Sequence, residues 1–333
     1  MKKARIGIIG CGGMSRWHGK AWTTEVPEAE IVALCDTHAG NLERYQRELF
    51  DPLNQKPATF ADYRDMLAKA KLDGVMIVTP HAHHFEQATA ALDAGCHVLV
   101  EKPMVVTVED ARRLIAHAQK TNRVLSVGLQ GTFSPEFAYI REQLESKRLG
   151  EVRCVSAFVT QSWLKGTAGT WRQDPKVSGG GEAYDSGAHV LHAMLYLPNL
   201  RPTEVFAWMN NCGTTVDVIT SAAIRYENGA LGSIFINGSD VRSWEEGIYI
   251  SATQGSVRTS VHGGRLEHWD ATAKPVRYPA VKPVPSMYQN FVDCILGHAE
   301  TPCPPIWGLR HALLMEALYE SARAGKPAKV QAE

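Results

Sequence analysis

The chain has 333 residues, 44% hydrophobic and 21% charged, which is typical of a globular protein with enough apolar material for two domains. Its 35 Lys and Arg residues balance 35 Asp and Glu residues, so bulk charge favours neither nucleic acid nor an anionic membrane as a partner. Its 7 cysteines lack CxxC spacing, and no segment approaches the ~20 apolar residues of a membrane span, so we expect a cytoplasmic protein without a disulfide framework or a structural zinc site.

The first part of the chain alternates short apolar segments with helical patterns. Arg5 and several glycines break the apolar run after Met1-Lys2-Lys3, so we interpret it as a first strand and not as a signal peptide. Continuous apolar character predicts buried strands at Arg5–Ile9, Ile31–Cys35, Val75–Val78, Val98–Val100 and Val124–Val127. Helices are predicted between them at Met14–Thr24, Asn41–Phe50, Phe85–Ala94 and Val108–Gln119. This alternation indicates a parallel sheet, and hence a doubly wound α/β domain over residues 1–130.

The pattern changes over residues 131–333. Strands separated by hairpin-like turns are predicted at Val152–Thr160, Glu204–Met209, Val216–Tyr226, Leu231–Asn237, Ile248–Ala252 and Ser256–Val261. Helices are predicted at Pro135–Glu145, Glu182–Leu197, Met287–Leu296 and Leu309–Ala324. We therefore expect an α+β domain with a large, mainly antiparallel open sheet. One face of such a sheet needs a cover, so we predict a homodimer or homotetramer built on it.

A glycine-rich turn follows the first predicted strand and opens the first predicted helix. Gly10 and Gly12 fit the first two positions of the dinucleotide fingerprint, and the small residue Ser15 stands at the third. Asp36 ends the second predicted strand, where an acid accepts hydrogen bonds from the adenosine ribose and repels a 2′-phosphate. The turn therefore predicts a dinucleotide site, and Asp36 favours NAD over NADP. The alternatives are a structural glycine turn and a helix-capping aspartate.

Glu101-Lys102-Pro103 ends the fourth predicted strand. Lys102 stands at the carboxyl edge of the sheet, where open α/β sheets bind ligands, so its ammonium is expected to hold a substrate hydroxyl and stabilise alkoxide charge. Glu101 is expected to pair either with a neighbouring group or with cofactor hydroxyls. A lysine exposed at a strand end is the alternative.

A second group of polar residues follows the glycines Gly179–Gly181. Asp185 and His189 are four residues apart, so a helix would place them on one face, where the carboxylate raises the basicity of a general base. Trp171 and Arg172 are expected to bind substrate, with further pocket candidates at Trp163, Lys165, Trp244 and Tyr288. A histidine that only packs in the core is the alternative for His189.

Together these motifs make the chain resemble the Gfo/Idh/MocA oxidoreductases, over nearly its whole length. The residues that carry the resemblance are Gly10–Ser15, Thr79-Pro80 with His84, Glu101-Lys102-Pro103, Trp171-Arg172, and Asp185 with His189. The resemblance implies a Rossmann domain, an α+β domain, and NAD(P)-dependent redox chemistry on sugars or cyclitols. It implies that His189 takes the hydroxyl proton, that Lys102 positions the hydroxyl, and that Asp185 assists. The cofactor-binding residues implied are Gly10, Gly12, Gly13, Met14, Asp36, Thr79, Pro80, His84, Glu101, Lys102 and Gln130.

The chain departs from the family pattern in two places. His81 follows Pro80 where members often carry Asn, and Gln130-Gly131-Thr132-Phe133 stands where many read Asn-Arg-Arg-Phe. The missing basic pair leaves the size and charge of the substrate open. Of the histidines at 81, 83 and 84, only His81 and His84 are helix-spaced, and no acidic partner for them is evident, so we predict no metal site.

Three functions are compatible with these residues. The first is a dehydrogenase that transfers a hydride between nicotinamide and a secondary hydroxyl of a sugar, cyclitol or sugar derivative. The second is a glycoside-cleaving enzyme that oxidises C3 transiently, eliminates the substituent and reduces again. The third is a non-catalytic, cofactor-binding regulatory protein, against which the presence of Lys102, Asp185 and His189 argues.

Overall fold

The computed structural model describes residues 3–277 and 283–333. Met1 and Lys2, which we considered above when weighing a signal peptide against a first strand, lie outside the described residues. The strands are β1 (Ala4–Ile9), β2 (Ala29–Cys35), β3 (Ala58–Phe60), β4 (Gly74–Ile77), β5 (His97–Glu101), β6 (Leu125–Gly128), β7 (Val152–Thr160), β8 (Pro202–Asn210), β9 (Ile219–Tyr226), β10 (Leu231–Asn237), β11 (Glu245–Ala252), β12 (Gly255–Thr259), β13 (Glu267–Asp270) and β14 (Ala328–Lys329). The helices are α1 (Gly13–Glu25), α2 (Ala39–Tyr45), α3 (Tyr63–Lys69), α4 (His84–Asp93), α5 (Val108–Thr121), α6 (Pro135–Glu145), α7 (Trp163–Gly166), α8 (Pro175–Ser178), α9 (Gly187–Tyr196), α10 (Met287–Ile295) and α11 (Ile306–Ala324).

The first sheet has six parallel strands in the order β3-β2-β1-β4-β5-β6. This order confirms the predicted doubly wound domain and makes it a Rossmann sheet. The five predicted strands are present, and the three-residue β3 adds an edge that the sequence pattern did not indicate. The chain reverses its direction of progress between β1 and β4, and open α/β sheets bind their ligands at such a switch point.

The second sheet has eight strands in the order β13-β12-β11-β7-β10-β9-β8-β14. All neighbours are antiparallel except β7 and β10, which confirms the predicted, mainly antiparallel α+β fold. Helix α9 packs against β7, β10 and β11. Its burial throughout the helix follows from its composition, since it carries almost no charged residue.

The polypeptide divides into two compact units that interleave along the sequence. Unit 1 contains residues 1–105, 109–128 and 285–306, and unit 2 contains residues 106–108, 129–284 and 307–333. The expected division was a single cut after residue 130, whereas α10 returns to unit 1 late in the sequence. Among the described residues, no helix is both long enough and apolar enough to cross a bilayer.

Candidate active site

The glycine turn after β1 leaves open space beside the start of α1. Gly10 has a φ of +91°, and a Cβ built on it would lie 2.5 Å from the carbonyl oxygen of Val78. By contrast, a Cβ built on Gly12 or Gly13 would have no heavy atom of the described residues within 4 Å, apart from those of adjacent residues and of the helix's own backbone. Helix α1 begins at Gly13, and no side chain caps its first turn in the described part of the chain. Open glycines with uncapped N–H groups at a helix start fit the pyrophosphate of a dinucleotide.

Asp36, just after β2, ties the glycine turn to the start of α2. Its Oδ2 accepts hydrogen bonds from the backbone N–H of Cys11 at 2.8 Å and from Asn41 Nδ2 at 3.2 Å. Its Oδ1 accepts the backbone N–H of His38 at 2.8 Å. A carboxylate has about four acceptor positions, so Asp36 retains capacity for a ribose hydroxyl while it orders the turn. The link to Cys11 was not evident in the sequence.

His84 joins the loops that follow β4 and β5. Its buried ring places Nδ1 2.8 Å from the carbonyl oxygen of Pro103 and Nε2 2.9 Å from that of Thr79. Burial lowers the pKa of His84, although the two carbonyls and the nearby Glu101 act in the opposite direction. Both ring nitrogens thus contact the protein backbone, and the side chain holds Pro103 and Thr79 at the edge of the sheet.

Glu101, the last residue of β5, points into unit 1 and contacts a neighbouring side chain, the first of its two expected partners. Its Oε1 lies 3.1 Å from His18 Nε2, and its Oε2 accepts the backbone N–H of Lys102 at 3.2 Å. Burial by itself would raise the pKa of Glu101, but His18, Lys102 and His84 together lower it. His18 Nδ1 in turn lies 2.7 Å from the hydroxyl oxygen of Tyr288.

This network fixes the residue that precedes Lys102. A Cβ built on Gly128 would lie 2.7 Å from Glu101 Oε1, so the neighbouring strand leaves no room for a side chain. Tyr288, considered a pocket candidate from sequence, is instead buried against His18. Lys102 itself is partly exposed, and its peptide bond to Pro103 is cis.

In unit 2, the segment just before Asp185 is fixed by a buried carboxylate. Asp217 accepts the backbone N–H groups of Gly181 at 2.7 Å and Ala183 at 2.9 Å. A Cβ on Gly181 would overlap the backbone of Asp217. The glycine at position 181 is therefore required by the close approach of the protein's own backbone.

Asp185 lies in the turn that precedes α9, and His189 lies in the first turn of that helix. The predicted helix start at Glu182 is wrong, because α9 begins at Gly187. The residues just before it form consecutive turns, and Asp217 accepts hydrogen bonds from the backbone of this segment. The backbone N–H of His189 bonds to the Ser186 carbonyl at 3.1 Å. His189 is buried, with 8% of its surface exposed.

Asp185 is oriented by two donors. Its Oδ2 accepts Trp163 Nε1 and Arg172 Nε, each at 2.8 Å. The Arg172 guanidinium also stacks 4.6 Å from the centroid of the Trp171 ring, which is partly exposed. Arg172 and Trp163 therefore hold the carboxylate of Asp185 in place by hydrogen bonds.

Gln130, predicted from sequence to bind the cofactor, begins a 3₁₀ turn, Gln130–Phe133, and is partly exposed.

A carboxylate–histidine pair beside His189 was missed from sequence. The ring centroids of His189 and His262 are 4.1 Å apart, and His262 Nδ1 lies 2.7 Å from Glu246 Oε2. Trp244 lies 5.8 Å from the His262 ring, centroid to centroid. Strand alternation gave a signal, since Glu246 has the same parity as the buried residues Ile248 and Ile250. A charged side chain that points into the protein needs a compensating polar or charged partner.

Two of the three histidines at 81, 83 and 84 are buried, namely His81 and His84. Among the described residues, no group of three or more His, Cys, Asp or Glu side chains is arranged to hold a metal ion. His81 is buried, and His84 contacts the carbonyls named above.

Two family matches cover most of the chain. Residues 4–129 match the oxidoreductase family with an NAD-binding Rossmann fold, and residues 137–258 match the GFO/IDH/MocA C-terminal domain. The 1-carboxy-3-chloro-3,4-dihydroxycyclohexa-1,5-diene dehydrogenase of Comamonas testosteroni is 28% identical over 242 residues, which are 70% of this chain and 58% of that protein. The D-glucoside 3-dehydrogenase of Escherichia coli is 29% identical over 194 residues, 58% of this chain and 53% of that protein. These matches span less than two thirds of either relative.

Solved structures extend the similarity over the full length. The WlbA dehydrogenase from Bordetella pertussis, in complex with NADH and UDP-GlcNAcA, is 26% identical with a TM-score of 0.86 over 100% of both chains. Distant relatives also include inositol dehydrogenases. The glycine turn, the two sheets and the family matches to both parts of the sequence agree, and the chain belongs to the Gfo/Idh/MocA family of NAD(P)-binding oxidoreductases.

Proposed function

We propose that this protein is an NAD-dependent dehydrogenase that oxidises a secondary hydroxyl of a sugar, a glycoside or a cyclitol. The observation that carries the proposal is the order of strands in unit 1. Strands β1, β4 and β5 are consecutive in the sheet. The glycine turn and Thr79-Pro80 therefore follow the two strands at the switch point, and Lys102 follows the next strand. This arrangement supports a cationic side chain beside the cofactor.

The reaction needs a proton acceptor and a group that polarises the hydroxyl. When NAD is bound, it supplies the acceptor for the hydride. We assign proton uptake from the hydroxyl to His189, which Asp185 assists, and charge stabilisation of the alkoxide to the Lys102 ammonium. The bonds from Trp163 and Arg172 support this role of Asp185, because they restrain its carboxylate.

The carboxylate of Asp36 supports the preference for NAD. A 2′-phosphate of NADP would approach this negative charge, whereas a ribose hydroxyl would donate to it. We expect Asp36→Ser to lower the ratio of kcat/KM for NAD to that for NADP at least tenfold, measured on one substrate. Asp51→Ser, at an exposed position of the same unit, is the matched control. Equal use of both cofactors by the unmodified protein would contradict the assignment.

The relatives support the substrate class. One is named a D-glucoside 3-dehydrogenase, another acts by its name on a dihydroxylated six-membered carbon ring, and a third was solved with UDP-GlcNAcA. All three names describe ring compounds that carry hydroxyl groups. A sugar or cyclitol with a free secondary hydroxyl is therefore the substrate class that we propose.

The decisive experiment measures NADH absorbance with myo-inositol, scyllo-inositol, D-glucose, D-glucuronate and methyl α-D-glucoside. We expect turnover of at least one alcohol, and a fall in kcat of about 10²-fold or more in Lys102→Met, because an oriented donor to the developing oxyanion is lost. Lys120→Met, at an exposed position on α5, is the matched control and should leave the rate unchanged.

Two outcomes would change the proposal. Full activity of Lys102→Met would remove the lysine from the mechanism. Release of methanol from the glucoside without accumulation of NADH would instead favour the glycoside-cleaving reaction with internal reoxidation.

We also propose that the protein is a homodimer or homotetramer that uses the exposed face of the second sheet. Trp208, Phe235 and Phe158 lie in one row across β8, β10 and β7, and Trp208 is 61% exposed. An open apolar sheet face of this kind favours a partner of the same shape. Sedimentation should give a dimer or tetramer for the unmodified chain and a lower mass for Trp208→Glu. Val241→Glu, on an exposed loop, is the control, and a monomeric unmodified chain would refute the proposal.

A further inference from the structure

Glu246 and His262 form a built pair next to the proposed base. Glu246 Oε2 lies 2.7 Å from His262 Nδ1, and Oε1 accepts the hydroxyl of Ser260 and, at 3.4 Å, the backbone N–H of His262. The carboxylate is therefore held on both oxygens. Because it accepts at Nδ1, it favours the tautomer that carries the proton there and leaves the lone pair on Nε2.

The pair differs from His189 in its access to water. His189 is buried, whereas 27% of the His262 side chain is accessible to solvent. A base that takes a proton in each turnover must release it before the next one. His262, whose ring centroid lies 4.1 Å from that of His189, is a titratable group that also reaches solvent.

We propose that Glu246 and His262 relay a proton between His189 and bulk water. This inference rests on the proposed function, in which His189 takes the proton of the substrate hydroxyl. The two rings pack against each other, so one water is the carrier between them: it accepts the N–H proton of the His189 imidazolium and donates a proton to His262 Nε2. The His262 imidazolium then transfers its proton to bulk water. Glu246 remains a carboxylate throughout and stabilises the imidazolium. The same steps run backwards when the enzyme reduces a carbonyl.

The electrostatic surroundings fit this direction of transfer. Among the described residues, Glu246 from β11 and His189 from α9 are titratable side chains that lie against His262, and the centroid of the Trp244 ring is 5.8 Å from that of His262. The Glu246 carboxylate contacts His262 at Nδ1, and two positive charges on rings 4.1 Å apart would repel each other, so the relay needs only one ring at a time to carry the extra proton. One proton shared by two histidines is the state expected for a relay.

The test uses His262→Asn, in which the amide can still donate to Glu246 while the nitrogen at the Nε2 position is lost. His268→Asn is the matched control, because His268 in the same unit also contacts a neighbour through Nδ1, at 2.8 Å from the Tyr139 hydroxyl. The probe is the panel alcohol that the unmodified protein turns over fastest. We expect His262→Asn to lower kcat about tenfold with KM changed less than twofold, since water replaces the relay only in part.

Rescue and pH dependence separate a relay from a structural role. Added imidazole should restore most of the lost kcat in His262→Asn and should not alter His268→Asn. Glu246→Gln should displace the pH profile of kcat to lower pH, because the amide no longer stabilises the imidazolium. Unchanged kcat in His262→Asn, or a loss that imidazole does not restore, would overturn the relay.

A titration of the cofactor-free protein provides a second readout. The ring-proton NMR signal of His189 should change its titration midpoint by at least about 0.5 pH unit in His262→Asn, because two close histidines titrate together. An unchanged midpoint would overturn the proposal. If the unmodified protein oxidises no panel alcohol, the proposed function fails, and the titration still decides whether the rings are coupled. If turnover is normal and His262→Asn is silent in both assays, only the relay fails.

Discussion

Each unit contains a carboxylate paired with a histidine, and the two pairs have opposite access to solvent. In the sealed pair of unit 1, the side chains of Glu101 and His18 are 8% and 0% exposed. In the open pair of unit 2, the side chains of Glu246 and His262 are 8% and 27% exposed. The carboxylates are equally buried, so the histidines make the difference.

The partners of each histidine explain what the pairs do. His18 uses its second nitrogen on Tyr288, so the sealed pair links α1, the end of β5 and α10. His262 has Nδ1 on Glu246, its ring centroid lies 4.1 Å from that of His189, and 27% of its side chain is accessible to solvent. The same two residue types thus serve as a fixed support for the Lys102 turn in one unit and as a site of proton exchange in the other.

The largest change in the free energy of unfolding is expected when the sealed pair is broken. Replacing His18 with Ala leaves the carboxylate of Glu101 buried without its partner, so we expect the free energy of unfolding to fall by about 3 kcal/mol. Urea denaturation at neutral pH measures this. Lys20→Ala, at an exposed position on the same helix, should change it by less than about 0.5 kcal/mol. A loss below 1 kcal/mol in His18→Ala would mean that the pair supports the fold far less than its burial suggests.

A smaller change is expected in how the stabilisation by Glu101 depends on pH. The pKa of Glu101 is lowered in the folded state, so its carboxylate stabilises the fold above the ordinary value of 4.5, and this contribution is lost as the pH falls through the folded-state pKa. Glu101→Gln should therefore be less stable than the parent near neutral pH. The difference between the two should shrink below about pH 4.5. Denaturation curves at several pH values test this, and a constant difference would contradict it.

The smallest change in the free energy of unfolding is expected when the open pair is altered. His262→Asn should change the free energy of unfolding by less than about 1 kcal/mol, because a partly exposed pair is screened by water and the amide keeps its bond to Glu246. The same urea measurement applies. A loss equal to that of His18→Ala would erase the distinction between the pairs and assign His262 a structural role.

Local patterns predicted most of the elements. The bounds of β7, β10 and α6 agree with those expected from sequence, because each is a long segment of clear periodicity or begins at a proline. Strand β3 was missed, since its three residues, two of them exposed, carry no periodic signal. The start of α9 was misplaced, because a buried carboxylate at Asp217 overrides the helical pattern before Gly187.

The site was predictable only as motifs. The glycine turn, Asp36 and Lys102 follow strand ends, and strand ends are readable from apolar runs. The contact between His18 and Tyr288 joins residues 270 positions apart, so it depends on the tertiary fold. The pair of Glu246 and His262 forms across the β11–β12 hairpin. Here the alternation of β11 could have indicated that Glu246 points inward and needs a partner.

The return of residues 285–306 to unit 1 sets an order for synthesis of the chain. Trp22 packs against Tyr288 with ring centroids 5.2 Å apart, and the backbone N–H of Val127 bonds to the carbonyl of Cys303 at 3.1 Å. A nascent chain that has reached only residue 284 holds every strand of the first sheet but lacks these partners. The cofactor-binding part of the protein, although it begins the sequence, is therefore completed only after the strands β7 to β13 of the second sheet have left the ribosome.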